Sequence, residues 1–178
     1  MGARSGMGAE EAAAALVALH AEVDAEVAPL VTRHGARLTC QKGCSQCCVD
    51  DLTVFEVEAA RIRANHAALL AEGQPHPAGA CAFLDEAGAC RIYPDRPYVC
   101  RTQGLPLRWE DEDDAGAWVE RRDICALNEA GEPDLVALPA EDCWTLGPVE
   151  GRLATLQVRL TGRPDRVRLR DLFEVAAT

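Results

Sequence analysis

The sequence predicts a mainly α-helical single domain, residues 1–178, with a small β-hairpin and a cysteine-rich centre that is stabilised by metal. Three observations support this prediction. Apolar residues recur at helical spacing near both ends of the chain, and nine cysteines lie in the part between. Aromatic residues make up only 4% of the chain, so the loop-rich middle has few large side chains with which to build a core. A chain of this length fits one domain of ordinary size.

The N-terminal segment, residues 1–35, is predicted to form a long amphipathic helix from about Glu10 to Thr32. Its apolar face recurs at intervals of three and four and consists of Leu16, Leu19, Val23, Val27 and Leu30. This stripe is interpreted as a packing face opposite a solvated acidic face, although a partner helix would use the same stripe.

A second helix is predicted from Thr53 to about Glu72. Thr53 and Glu56 have the spacing of a capping box, in which the two side chains satisfy free N–H groups at a helix start. His66 falls on the apolar stripe of this helix. It is therefore interpreted as a core or boundary residue rather than a metal ligand.

The next predicted elements are a loop and a hairpin. The Pro- and Gly-rich residues 73–80 are predicted to form a loop, in which His76 is the freer histidine and an open candidate for metal binding. Leu105–Trp109 and Ala117–Arg121 are predicted to pair across the acidic run Glu110–Asp114. Such a run in a turn is interpreted as a solvated tip.

The C-terminal segment, residues 145–178, is predicted to be helical. A helix should begin at Pro148, a favoured first-turn residue, and stop at Gly162. The tail from Asp165 to Phe173 is predicted to form either a short helix or a strand.

The charge of the chain argues against some classes of partner. A formal net charge of -11 and a pI near 4.8 disfavour a nucleic-acid binder, which needs a basic face. Acidic residues near the N-terminus interrupt any signal-peptide core, and no apolar stretch is long enough to cross a membrane. The sequence therefore predicts a cytoplasmic protein, in which clustered cysteines are more often metal ligands than disulfides.

The cysteines fall into two groups within a predicted metal-binding core at residues 40–128. The first group has the spacing C-x3-C-x2-C-C and consists of Cys40, Cys44, Cys47 and Cys48, just before the predicted second helix, whose N-terminus would stabilise thiolates. The second group consists of Cys81, Cys90 and Cys100, and Cys125 and Cys143 follow on separate segments. Adjacent cysteines cannot easily both reach one tetrahedral ion. We therefore expect two sites, or a bridged cluster, with the Cys47 and Cys48 side chains pointing to different places.

Eight of the nine cysteines would complete two four-ligand sites and leave one thiol over. Pure thiolate ligation suits zinc and iron–sulfur centres alike, so spacing alone does not choose the metal.

The run CQKGCSQCC followed by CAFLDEAGACRIYPDRPYVCR resembles the CxxCxxCC family of zinc- or iron-chelating proteins, the YkgJ-type cysteine cluster proteins. The resemblance covers about residues 40–128. It implies that the metal ligands are Cys40, Cys44, Cys47, Cys48, Cys81, Cys90 and Cys100, and Cys125 also looks like a family position. The signature C-x-I-Y-x-x-R-P-x-x-C-R is matched by Ile92, Tyr93, Arg96, Pro97 and Arg101. The first gap has three residues where the family name has two, and Cys143 has no counterpart.

Arginines flank the second cysteine group. Arg91, Arg96 and Arg101 stand beside Cys90 and Cys100, where guanidinium groups would offset thiolate charge. Ordinary surface salt bridges are an equally open interpretation.

Three functions follow from these patterns. The first is a metal-binding protein that coordinates zinc or iron, including a possible iron–sulfur cluster, through two cysteine groups. The second is an iron–sulfur-dependent protein-modifying enzyme or electron carrier. The third is a thiol-based metal sensor or donor. The predicted partners are metal ions, with no nucleic acid and no membrane, and the sequence identifies no catalytic residue.

Two enzyme classes are disfavoured. The spacing from Cys40 to Cys47 is one that radical-SAM enzymes use, but the chain is short, lacks strand–helix alternation and has Gln46 where those enzymes usually carry an aromatic residue. A cysteine nucleophile with His66 or His76 as base is disfavoured, because the cysteines are clustered in the manner of metal ligands rather than placed singly.

Overall fold

The computed structural model describes residues 7–174. The α-helices are α1 Ala9–Arg33, α2 Glu56–Asn65, α3 Ala67–Glu72, α4 Tyr98–Arg101, α5 Pro148–Thr161 and α6 Asp171–Glu174. The strands are β1 Thr53–Phe55, β2 Leu107–Glu112, β3 Trp118–Asp123, β4 Trp144–Thr145 and β5 Arg166–Arg168. No helix within this range combines the length and the hydropathy that a membrane span requires.

Helices α1 and α5 confirm the sequence prediction. All five residues of the predicted apolar face of α1 are buried, and the helix packs against α2, α4 and α5. Helix α5 begins at Pro148 and is followed by Gly162, which takes a left-handed φ of 78° as its C-cap. Helix α1 forms around its apolar stripe, whereas α5 combines such a stripe with start and stop signals at Pro148 and Gly162.

The predicted helix from Thr53 to Glu72 is wrong at its start and in its continuity. Thr53 lies in β1, which pairs antiparallel with β5, and Phe55 caps α2 without a side-chain hydrogen bond. His66 separates α2 from α3, and its Nε2 lies 2.9 Å from Asp95 Oδ2, as suits a boundary residue. The pairing of β1 with a strand more than 100 residues away competes with the local capping signal.

The hairpin is confirmed but is longer than predicted. Strand β2 pairs antiparallel with β3 and includes Glu110, Asp111 and Glu112, so only the end of the acidic run lies in the turn. These carboxylates are exposed, and a strand solvated at this end accommodates them without burial. Strand β4 lies parallel to β2 and gives the order β3-β2-β4. The description of the fold as mainly α is therefore loose, because two small sheets complete it.

The buried apolar residues form two clusters. The helical cluster lies between α1 and α5 and consists of Ala12, Leu16, Leu19, Val23, Val27, Leu30, Phe55, Val57, Tyr98, Leu105, Trp144, Val149, Leu153 and Leu156. The second cluster consists of Val54, Ala59, Ile62, Leu70, Ala82, Phe83, Ile92, Leu169, Leu172 and Phe173, and Cys81 and Cys90 pack against it. The second cysteine group therefore adjoins the smaller core.

Tyr98→Phe is expected to lower the free energy of unfolding by about 1–3 kcal/mol. Trp144 Nε1 donates a hydrogen bond to the Tyr98 hydroxyl at 3.0 Å, and both rings are buried. The variant leaves that buried N–H without its acceptor. Urea unfolding measures the loss, and Tyr93→Phe, at an exposed ring, serves as the control. Equal losses in the two variants would contradict the assignment.

Candidate metal centre

The first cysteine group lies on a loop between α1 and β1. Two successive turns shape it, because the Cys44 N–H donates to the Gln41 carbonyl and the Cys48 N–H donates to the Ser45 carbonyl, each at 2.9 Å. The sequence predicted that this loop runs directly into a helix N-terminus. That prediction is wrong, because the loop leads into β1, and α2 begins only after that strand.

Two glycines bring the first loop against the second. Gly43 and Gly88 take positive φ angles of 89° and 75°. A Cβ added at Gly88 would lie 3.0 Å from the Gly43 carbonyl oxygen, so the two backbones approach too closely for a side chain. A backbone hydrogen bond of 2.9 Å from the Cys81 N–H to the Cys48 carbonyl joins the same two regions. The two cysteine groups therefore meet through their backbones.

The second loop is folded around Cys81 and Cys90. An isolated β-bridge pairs Leu84 with Cys90, and the Arg91 N–H donates to the Phe83 carbonyl at 2.8 Å. The backbone N–H of Phe83 donates to the Cys81 thiol, and that of Ile92 does the same for Cys90. Because Phe83 and Ile92 are fully buried, these two donors are anchored in the core.

Helix α4 delivers Cys100. The backbone N–H of Tyr98, at its start, donates to Glu58 Oε1 at 2.7 Å. Glu58 is buried, and the same oxygen lies 3.4 Å from Nε2 of buried His20 on α1. Burial raises the pKa of the Cys100 thiol, and the nearby charges of Cys81, Cys90 and Glu58 add to this effect. The helical core thus fixes the position of Cys100.

Four thiols influence one another electrostatically, and we refer to them as the four-thiol cluster: Cys48, Cys81, Cys90 and Cys100. Burial raises the pKa of Cys81, and it raises the pKa of Cys90 with a further contribution from Cys81. The hydrogen bond to Cys47 raises the pKa of Cys48, followed by burial and by the charges of Cys47, Cys81 and Cys100. A cation bound between these thiols would lower their pKa values.

Cys47 and Cys48 share a hydrogen bond in which the Cys48 thiol donates to Cys47. This bond is the main cause of a lowered pKa at Cys47. That the two side chains point to different places, and that two sites share this corner, both stay predictions.

Cys40 and Cys125 both contact Asn128. The Asn128 side-chain amide donates to Cys40 Sγ at 3.5 Å, and the Asn128 backbone N–H donates to the Cys125 carbonyl at 2.7 Å. The same amide also donates to the Gly104 carbonyl at 2.8 Å. Asn128 is buried and connects two predicted ligands, although sequence reasoning gave it no role.

Cys143 and His76 were left open as ligands. Cys143 is buried, and the groups that affect its pKa, after burial itself, are the charges of Arg122, Glu120, Asp142 and Arg108 rather than other cysteines. Cys143 also lines a cavity of about 330 Å³ between α1 and α5. The His76 backbone N–H donates to the Ala82 carbonyl at 2.9 Å, which fixes the loop before Cys81.

The three arginines beside the second cysteine group differ in the groups on which they act. Burial raises the pKa of Cys90, and the charges of Arg96 and Arg91 partly offset this rise. The buried Arg101 side chain instead forms an ion pair of 2.6 Å with the half-exposed Asp24 of α1. It therefore links α4 to the helical core.

The thiols have the chemistry that zinc or iron requires, but they do not converge on one point in this structure. Within residues 7–174, no three Cys, His, Asp or Glu side chains stand ready to hold a metal ion. Thiolate sulfur is the ligand that zinc and iron–sulfur centres share.

Comparison with known proteins agrees with this donor set. The family model CxxCxxCC, described as a putative zinc- or iron-chelating domain, matches residues 39–143. The match includes all nine cysteines and extends to Cys143, beyond the limit inferred from the sequence motifs. Searches of curated proteins and of solved structures gave no significant match. Because the matched residues make up more than half of the chain, the protein belongs to the CxxCxxCC family.

Proposed function

We propose that this protein chelates zinc or iron through two cysteine centres. The first centre uses the four-thiol cluster, and the second uses Cys40, Cys44, Cys47 and Cys125. The observation that carries the proposal is that all nine cysteines lie within the match to a zinc- or iron-chelating family model, and a backbone hydrogen bond of 2.9 Å from the Cys81 N–H to the Cys48 carbonyl joins the two cysteine groups.

The surrounding residues serve the first centre in distinct ways. The hydrogen bond from the Cys81 N–H to the Cys48 carbonyl sets the spacing of two donors, and Glu58 fixes the start of the helix that carries Cys100. Arg91 and Arg96 offset the negative charge that four thiolates carry. A bound zinc or iron ion would supply a cross-link between these segments.

The second centre is argued from fewer contacts. Asn128 connects Cys40 with the segment of Cys125, and Cys44 and Cys47 lie on the loop that Cys40 begins. Cys40 is exposed, whereas the other proposed ligands of both centres are each partly buried, so the second centre has one donor open to solvent. We therefore expect the second centre to exchange its metal faster than the first, which is the property that a metal donor or sensor needs.

Elemental analysis and an absorption spectrum of protein purified without oxygen test the proposal. Colourless protein with roughly two zinc ions per chain would support a structural or binding role. Brown protein with matching iron and sulfide would also support chelation and would favour an iron–sulfur-dependent modifying enzyme or an electron carrier. Protein that holds neither zinc nor iron, and takes up neither when reconstituted, would overturn it.

Cys100→Ser is expected to remove one of the two centres, because serine keeps the size of the side chain but lacks a thiolate. Metal content measured by elemental analysis should fall by half, and the melting temperature should fall with it. Cys143→Ser is the matched control and should keep its full metal content. Full metal and unchanged melting in Cys100→Ser would remove that residue from the ligand set. Loss of a whole centre in Cys143→Ser would add Cys143 to it.

A further inference from the structure

The C-terminal segment crosses the cysteine loops although it lies outside the family match. We define residues 166–173 as the C-terminal strap. Its strand β5 pairs with β1, and the Leu169 N–H donates to the Leu52 carbonyl at 3.0 Å. At its end, Phe173 packs against Phe83, with ring centroids 5.0 Å apart. The strap therefore reaches the chain that follows Cys48 and the chain that follows Cys81.

Arg170 makes the densest set of contacts in the strap. Its Nε donates to Asp50 Oδ1, and its Nη atoms donate to the carbonyls of His76 at 2.8 Å and Ala80 at 2.9 Å. The other oxygen of Asp50 accepts the Gly79 N–H at 2.9 Å. Only 17% of each side chain of the Arg170–Asp50 pair is exposed, so these contacts are shielded from solvent.

These contacts are made to residues that neighbour two of the cysteines in the chain. Asp50 lies two residues after Cys48, and Ala80 immediately precedes Cys81. The guanidinium group thus ties the chain beside one thiol of the four-thiol cluster to the chain beside another. Arginine suits this task because its planar fork offers several donors in fixed directions, whereas lysine offers a single point charge.

We propose that Arg170 is a positioning residue that keeps the Cys48 and Cys81 thiols together and so slows the release of metal from the first centre. This inference rests on the proposed function. The Arg170 guanidinium group acts through its geometry, because its N–H groups join the Asp50 carboxylate to backbone carbonyls on a separate loop. Since Arg170 lies on the strap, a movement of the strap away from β1 would open this corner of the centre.

Release of Co²⁺ tests the inference, because cobalt bound by thiolates is coloured and its loss is visible. Protein loaded with Co²⁺ is mixed with excess chelator, and the kinetic phase that Cys100→Ser lacks is assigned to the first centre. In Arg170→Gln and in Arg170→Lys that phase should be about 10-fold faster than in the wild type, and the visible spectrum should shift. Arg168→Gln, in the same strap and half exposed beside Asp51, is the control and should release at the wild-type rate.

The outcomes separate the two proposals. Wild-type protein that takes up no Co²⁺, zinc or iron would overturn the proposed function and this inference with it. Wild-type protein that binds metal while Arg170→Gln releases it at the wild-type rate would overturn the inference alone. A wild-type rate in Arg170→Lys would also overturn it, because charge rather than geometry would then be sufficient. Asp50→Asn breaks the same contact from the other side, so it keeps the test decisive if an arginine variant does not fold.

Discussion

Removal of the metal by a chelator is expected to open the cysteine loops at residues 40–50 and 76–92 while α1 and α5 stay folded. The helical cluster contains long apolar side chains from both helices and needs no thiol to pack. The loops instead depend on a few backbone hydrogen bonds and on the smaller second cluster. A structural zinc ion contributes about 10 kcal/mol or more of apparent binding free energy to the folding of a small domain, so the effect should be large.

Hydrogen exchange measured by mass spectrometry checks this prediction. Amides of both loops should lose protection in the chelated protein, and amides in the middle of α1 should not. Readdition of zinc should restore protection. Loops that stay protected without metal would show that the backbone contacts alone hold them. Unfolding of α1 together with the loops would show that the two clusters form one cooperative unit.

Gly104→Ala is expected to lower the free energy of unfolding by about 2–5 kcal/mol and to weaken the second centre. Gly104 takes a φ of 90°, which strains any residue with a side chain. A Cβ there would also lie 2.4 Å from Cys40 Sγ and 3.4 Å from the Asn128 side-chain nitrogen. The new methyl group must displace Cys40, so elemental analysis should show reduced metal content together with the loss of stability.

Gly151→Ala is the matched control for this substitution. Gly151 lies within α5, and nothing stands within 4 Å of a Cβ added there. Alanine in a helix interior should stabilise the protein by about 0.5–1 kcal/mol, with metal content unchanged. Destabilisation of equal size at both positions would contradict the steric argument. Full metal content in Gly104→Ala would show that Cys40 is not a ligand of the second centre.

Local signals predicted the parts of the fold that form locally. The stripe of α1 and the Pro148 and Gly162 signals of α5 depend on nearby residues, so the sequence was sufficient for them. The start of the second helix was misplaced because β1 forms only when β5 reaches it from the other end of the chain. Pairing over such a distance leaves no local pattern that one sequence reveals.

The sequence predicted which cysteines serve as donors, and that set stays a prediction, whereas the residues around them became visible only in the fold. Cysteine spacing and the motif after Cys90 pointed to the thiols directly. Asn128 and Arg170 support those thiols from distant positions, and each is an ordinary polar residue in its own stretch of sequence. Gly43 and Gly88 did leave a signal, since each lies between cysteines where a turn is needed, but their contact with each other required the fold.

The second apolar cluster has a consequence for how this chain is divided for experiments. The family match ends at residue 143, yet Leu169, Leu172 and Phe173 supply part of the core on which Cys81 and Cys90 rest. A fragment trimmed to the matched boundaries would expose Phe83 and would also lack α1, which anchors Arg101 through Asp24. The segment by which the family is recognised is thus shorter than the segment that supplies both apolar clusters, and truncations should keep everything from α1 through α6.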